Sequence, residues 1–190
     1  RVTTEDEPLP EGMEAVVQLL NSERLVEKRS EEGLFIHQTD GIKAQKIRII
    51  NPDAGDNDFL HLREVQVMSK GKNIALEGTA SQSSTHGNEN ERGAKSAIDG
   101  DMKTINHTSN MAKSGEWWEV DFGREVAIDE IRIYNRNDSP TTESRLKNYT
   151  LEILDAKGAP QGRNDPRTAE LAACFKEFST QAFRGEKVDQ

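Results

Sequence analysis

The stretch "GEWWEVDFGREVAIDEIRIYNRND", residues 115–138, sets the architecture of the whole chain. In its first half Trp118, Val120 and Phe122 fall on one side of an extended backbone and Trp117, Glu119 and Asp121 on the other. That period of two belongs to a strand half buried in an antiparallel sheet. Ile131 and Ile133 repeat the alternation in "AIDEIRIYN" (127–135). Outward from there, "KIRIIN" (46–51), "LREVQVM" (62–68) and "NYTLEILD" (148–155) have the same character, with clusters of Gly, Asn, Asp and Ser between them. Many short strands without strand–helix alternation predict a mainly β fold, a sandwich or jelly roll. In such a fold Trp118 belongs to the core and Trp117 is a partly buried packing residue.

The flanks read differently. Residues 1–11 are acidic and contain proline, as a tail does. Met13, Val16, Val17 and Leu20 keep helical spacing, which predicts a short amphipathic helix running to about Ser30. Near the other end "DAKG" is a turn, and "NDPRTAELAACFKEF" predicts a helix capped by Asp165 and begun by Pro166, with Leu171, Phe175 and Phe178 on one face.

Composition narrows the function. A chain of 190 residues holds one cored domain of roughly 100–150 residues plus appendages. Hydrophobic residues make up 33% and charged residues 31%, a polar mixture that predicts a thin core or poorly ordered ends. The net charge of −9 argues against nucleic acid, whose phosphates are held by clustered Lys and Arg, and favours neutral ligands or cations. No apolar run approaches the roughly 20 residues of a membrane span, so no membrane insertion is expected. "RVTTEDEPLPEG" lacks the apolar centre of a signal peptide, and a mature form or excised piece is expected. Cys174 is the single cysteine, which excludes an internal disulfide and a cysteine-based zinc site.

The densest chemistry lies in "SAIDGDMKTINHTSN" (96–110), which gathers Asp99, Asp101, Thr104 and His107. Taken alone, "DGD" is a hydrophilic turn. "DAGDNDFLHLRE" (53–64) has the length of an EF-hand loop but lacks the glycine at its sixth position and the flanking helices, so it is rejected. Nucleophile elbows, zinc-binding "HE..H" patterns and phosphate-cradling glycine loops are absent, and no enzyme activity is expected.

In order along the chain, "NIALEGTASQSS", "SAIDGD", "GEWWEVDFG", "IRIYNRND" and "NYTLEILDAKG" resemble the galactose-binding-like β-sandwich shared by coagulation-factor 5/8 type C (discoidin) domains and the fucose-binding F-type lectins, with the lectin branch closer. The resemblance spans residues 73–158 and implies a jelly-roll sandwich. A further stretch, "KIRIIN…FLHLREVQVMSKGKNIAL", resembles the closing strands of such domains although it precedes the first. The chain before Lys72 is too short for another sandwich, so a circular permutation running from about Gly33 to Gly158 is favoured over a preceding domain. The implied organisation is a tail and short helix over 1–32, the sandwich over 33–158 and a helical extension over 159–190.

The lectin branch holds one structural calcium ion mainly through backbone oxygens of the loop and a Glu of the closing strand. Carried onto this chain, the ligands become Arg63 by its carbonyl, Glu64, Ser96, Asp99, Asp101 and Thr104. Calcium accepts about six to eight hard oxygens in flexible geometry, which this set supplies. The branch also implies a sugar site from a His after the loop and two bases after a core strand, here His107, Arg136 with Asp138, and Arg145. A guanidinium presents a planar fork of donors to adjacent sugar hydroxyls, and Asp138 can fix that fork. The alternative for Arg136 and Asp138 is a salt bridge closing a strand end. The family's vicinal cysteines are absent, and Pro140 occupies that loop.

The resemblance therefore implies a calcium-stabilised carbohydrate-binding module for a fucose- or galactose-like glycan, part of a larger secreted, periplasmic or envelope protein. The competing readings are a discoidin-type protein-interaction module, whose apolar loop spikes are not expected here, and the accessory domain of an enzyme whose catalytic part lies elsewhere. Asn106 and Asn148 begin glycosylation sequons, and a glycan on Asn106 would crowd His107.

Overall fold

The computed structural model describes residues 23–24, 26–29, 33–51, 59–109, 115–146 and 148–164. Residues Arg24–Pro166 form one compact unit. Among the described residues the strands are β1 (Glu23–Arg24), β2 (Val26–Arg29), β3 (Leu34–Asn51), β4 (Leu62–Ser69), β5 (Lys72–Asn73), β6 (Thr79–Gln82), β7 (Glu116–Asn135), β8 (Thr150–Leu154) and β9 (Pro160–Asn164). Every pairing between β2 and β9 is antiparallel.

Two long strands organise the rest. β3 and β7 pair from Leu34↔Tyr134 to Asn51↔Glu116, with register shifts between Gln38 and Ile42 and between Ala44 and Lys46. Asp40 and Gly41 lie there at φ +48° and +82°, a left-handed pair that lets the strand bend. On one side of the bend, β3 from Lys46 to Ile50 pairs with β8, and β7 from Trp118 to Asp121 pairs with β6. On the other side, β3 from Phe35 to Gln38 pairs with β2, and β7 from Glu130 to Asn135 pairs with β4. The two long strands thus pass from one leaf into the other, and the fold is an antiparallel β-sandwich.

The alternation seen in the sequence becomes the core. In one leaf Ile47 and Ile49 lie between Val120 and Trp118 on β7 and Ile153 and Leu151 on β8, all 0% exposed. In the other, Ile131 and Ile133 lie opposite Val67 and Val65. Trp118 is fully buried and its indole N–H donates to the Ala94 carbonyl at 2.9 Å. Trp117 is half-buried beneath the Arg48 guanidinium, 5.3 Å from the ring centroid.

Several expectations are corrected. "WWEVDFG" and "AIDEIRIYN" form one strand rather than two, and "KIRIIN" is only the second part of the long β3. The helix expected up to Ser30 is replaced at its end by strands, because Val26–Arg29 pairs antiparallel with Phe35–Gln38, and Gly33, just before β3, takes φ +73°. That tertiary pairing overrides helical spacing. The expected helical extension from 159 begins with β9, which folds back on β8 through a turn where the Asp155 carboxylate accepts from the Lys157 and Ala159 amides, each at 2.8 Å. The helices expected over 13–22 and 165–178, and most of the rejected 53–64 loop, lie outside the described residues. β3 lies between β8 and β7, and β4 pairs with β7, so residues 34–69 are interior to the same sheet network as 116–154.

Candidate functional site

The acidic loop is held against β4. A short 3-10 turn, Ala94–Ala97, delivers Ser96, and Asp99 and Asp101 follow in a chain of Asx turns. Asp99 Oδ1 accepts from the Asp101 amide at 2.8 Å, and Asp101 Oδ1 from the Lys103 amide at 3.0 Å. Thr104 Oγ1 is 3.1 Å from the Ser96 carbonyl, 3.0 and 2.9 Å from the two Asp99 carboxylate oxygens and 2.8 Å from the Asp101 carbonyl. A hydroxyl has one proton, so it cannot serve four acceptors at once.

Glu64 faces this oxygen cluster from β4. It is 1% exposed, its Oε2 accepts a long bond of 3.4 Å from the Gly100 amide, the Asp99 backbone also donates toward the carboxylate, and its Oε1 is otherwise unpartnered. Burial pushes its carboxyl up to about 7, with the charges of Asp99 and Asp101 adding to the effect. Surplus acceptors around a buried carboxylate are the donor set a hard cation needs. Among the described residues no three His, Cys, Asp or Glu side chains converge as a metal cage. An ion here would therefore rest largely on Ser96 and Asp101 carbonyls and the Thr104 hydroxyl. Arg63 enters the same region through its guanidinium, whose Nη1 donates to the Met102 carbonyl at 3.1 Å.

The four sugar candidates gather beside this loop. Arg136 grips Asp138 bidentately, Nε to Oδ1 at 2.7 Å and Nη2 to Oδ2 at 2.8 Å. These hydrogen bonds hold the Asp138 carboxyl well below the usual carboxylate range. Arg63 Nη2 approaches the same carboxylate at 3.9 Å, linking it to the acidic loop. Arg145, in the turn Ser144–Leu146, lays its guanidinium 5.0 Å from the Phe59 ring centroid. His107 is buried at 7% exposure, and its Nδ1 donates to the Thr108 carbonyl at 2.6 Å. Burial lowers the affinity of its imidazole for a proton.

Three residues escaped the sequence reading: Phe59, His61 and His86. Phe59 and His61 stack with rings 11° apart, His61 lies 4.1 Å from His107 between ring centroids, and His107 stacks on His86 at 4.6 Å. His61 is 2% exposed, and neither ring nitrogen has a hydrogen-bond partner. Burial first, then the charges of His107, Arg136 and Arg145, push it down to about 3. His61 thus packs against Phe59 and His107, and Phe59 in turn carries the Arg145 guanidinium. The alternation "FLHLR" put Phe59, His61 and Arg63 on one side of an extended segment; His86, in a polar loop, carried no signal.

Asn106 is fully buried, its Oδ1 accepting from the Leu62 amide at 2.6 Å and its Nδ2 donating to Gln82 at 3.0 Å, so its sequon is sealed in the folded chain. Asn148 is exposed. The expectation of loops without apolar spikes is corrected: Leu76 is 55% and Met102 41% exposed. Both border the acidic loop, since a side chain added at Gly100 would meet Leu76 at 3.7 Å.

The F5/8 type C family model described as NedA-like, galactose-binding domain matches residues 96–184, from the acidic loop through β7, β8 and β9. With the strand network, this match supports the galactose-binding-like superfamily. Domains of this type are binding modules, of carbohydrate-binding or discoidin type, and are generally not catalytic. No curated protein and no solved structure matches the chain.

Proposed function

We propose that the chain is a calcium-stabilised carbohydrate-binding module that takes a fucose- or galactose-like glycan, as one domain of a larger secreted, periplasmic or envelope protein. The observation that carries this reading is convergence: His107 lies 4.1 Å from His61 between ring centroids, Phe59 stacks on His61 and carries the Arg145 guanidinium, and Arg136 and Asp138 stand in the same β7–β8 connection as Arg145. The half-buried Phe59 ring and the exposed His86 ring, packed over the buried His61 and His107, give an apolar surface, and the guanidinium groups give the donor rim that sugar hydroxyls require. Calcium is structural in this reading. It would be held by Glu64, Ser96, Asp99, Asp101 and Thr104, supplying the charge that the oxygen cluster lacks and fixing the loop that carries Met102 beneath Arg63.

The test is an NMR titration with galactose, fucose and their methyl glycosides, with calcium and then with chelator. Millimolar shifts at His107 and Arg136 that weaken on chelation are expected, since shallow sites for neutral monosaccharides bind on the order of micromolar to millimolar. Silence at both residues with calcium present would remove the monosaccharide reading. The second reading, a discoidin-type protein-interaction module, is favoured by exposed Leu76 and Met102 beside the acidic loop.

A further inference from the structure

A groove of about 350 Å³ opens next to the sugar candidates, lined by Leu34, Arg63, Met102, Tyr134, Asn135 and Asn137. We propose that this groove binds a second sugar residue of the same glycan, so that the module reads a disaccharide or longer chain rather than a single terminal sugar. The inference rests on the carbohydrate reading above and extends it.

Three features carry it. The first is continuity. Asn137 stands between Arg136 and Asp138 in the chain, and lines the groove while its neighbours grip each other bidentately. Arg63 forms the partition, with Nη1 on the Met102 carbonyl at 3.1 Å and Nη2 3.9 Å from Asp138 on the sugar side. Arg63 therefore stands between a glycan held at Arg136 and the groove.

The second feature is chemistry. Leu34, Tyr134 and the exposed Met102 supply an apolar wall, on which Tyr134 is placed by its register between Leu34 of β3 and Glu64 of β4. Arg63 and the Asn137 amide supply planar polar groups along the rim. Asn135 shapes the floor, its Nδ2 donating to the Glu143 carbonyl at 2.8 Å. A pyranose has the matching duality, one C–H face for an aromatic wall and an edge of hydroxyls for amide and guanidinium groups. Among the described residues no carboxylate lines the groove, which distinguishes it from the neighbouring acidic loop. The third feature is size, since about 350 Å³ lies at the lower end of the range of small-molecule sites and suits one ring rather than a peptide.

The experiment is calorimetric titration of the whole chain in calcium. The ligands are methyl galactoside and methyl fucoside, set against galactose- and fucose-terminated disaccharides with the linkage position varied. At least one disaccharide should bind about 10-fold more tightly than its parent monosaccharide. Tyr134→Ser should erase that advantage and leave monosaccharide binding unchanged. Asn137→Ala, at an exposed position, should reduce it severalfold and guards against a folding defect in the Tyr134 variant. The proposal is overturned if monosaccharides bind and no disaccharide gains more than about twofold, or if both variants, melting as wild type does, keep the advantage. Absence of binding by every glycan, short or long, would instead overturn the carbohydrate reading itself, and this proposal with it.

Discussion

Glu64→Gln is expected to stabilise the calcium-free protein and at the same time to abolish its response to calcium. The Glu64 carboxyl is buried among acceptors, and its proton affinity rises from 4.5 to about 7. A shift of that size is worth about 3 kcal/mol. The sign follows from the direction. A carboxyl whose folded value is raised costs nothing below pH 4.5, costs progressively more as pH rises, and carries its full penalty above about 7. Glutamine keeps the shape and an oxygen for the Gly100 amide, and brings N–H donors to oxygens that have too few. In chelator at pH 8 the variant should therefore melt roughly 5–10 °C above wild type, and at pH 4.5 the two should coincide. Calcium at a hundredfold excess over its Kd should return about 2.7 kcal/mol to wild type and nothing comparable to the variant. Thermal unfolding followed by circular dichroism at pH 4.5, 6 and 8, with and without calcium, reads all of this. A variant less stable than wild type in chelator at pH 8, together with an equal calcium response in both, would refute the reasoning.

Arg136→Ala should weaken sugar binding by about 1–3 kcal/mol and leave the denaturant midpoint nearly unchanged, because its pairing with Asp138 is partly exposed; calorimetry and urea unfolding separate the two effects. His61 is lowered from 6.5 to about 3, so the stability it contributes is complete above pH 6.5 and is lost as pH falls toward 3. Between pH 6.5 and 5 that amounts to about 2 kcal/mol, and His61→Phe should remove this much of the slope when both proteins are compared in calcium. Trp118→Ala should cost ~3–5 kcal/mol by leaving a cavity in the core and the Ala94 carbonyl without its donor, as equilibrium unfolding will show. A fragment spanning 24–166 should unfold cooperatively, whereas one spanning 31–160 loses β2 and most of β9 and should show a markedly lower melting temperature.

What could be read beforehand was what depends on alternation. Trp118, Val120, Ile131 and Ile133 declare their buried side locally, because side chains on a strand alternate regardless of partner. Arg136 and Asp138 were singled out through the resemblance to the lectin branch, not by alternation. Continuity of the long strands was hidden, since "GREV" looks like a turn and nothing within it says that the chain on both sides stays paired to β3. The ends misled for a related reason: Val26–Arg29 becomes a strand only because Phe35–Gln38 lies alongside. His61 and His86 were invisible because their meaning comes from His107, brought against them by fold closure.

The passage of β3 through both leaves has a consequence for synthesis. Its amino-terminal half finds β2 at once, but Lys46–Ile50 has no partner until β7 and β8 have left the ribosome. At about 5–20 residues per second, the chain between Asn51 and Glu116 takes several seconds to emerge. During that interval "KIRIIN" is a bare, strongly β-forming segment of the kind that nucleates aggregation. Lys46 and Arg48, which in the finished sheet pair with Glu119 and, for Lys46, also with Asp121, interrupt its apolar residues. They act first as gatekeepers of the nascent chain and only later as ion-pair partners. Replacing both with threonine would suit the strand and suit the folded sheet tolerably, yet the newborn protein should accumulate as insoluble material.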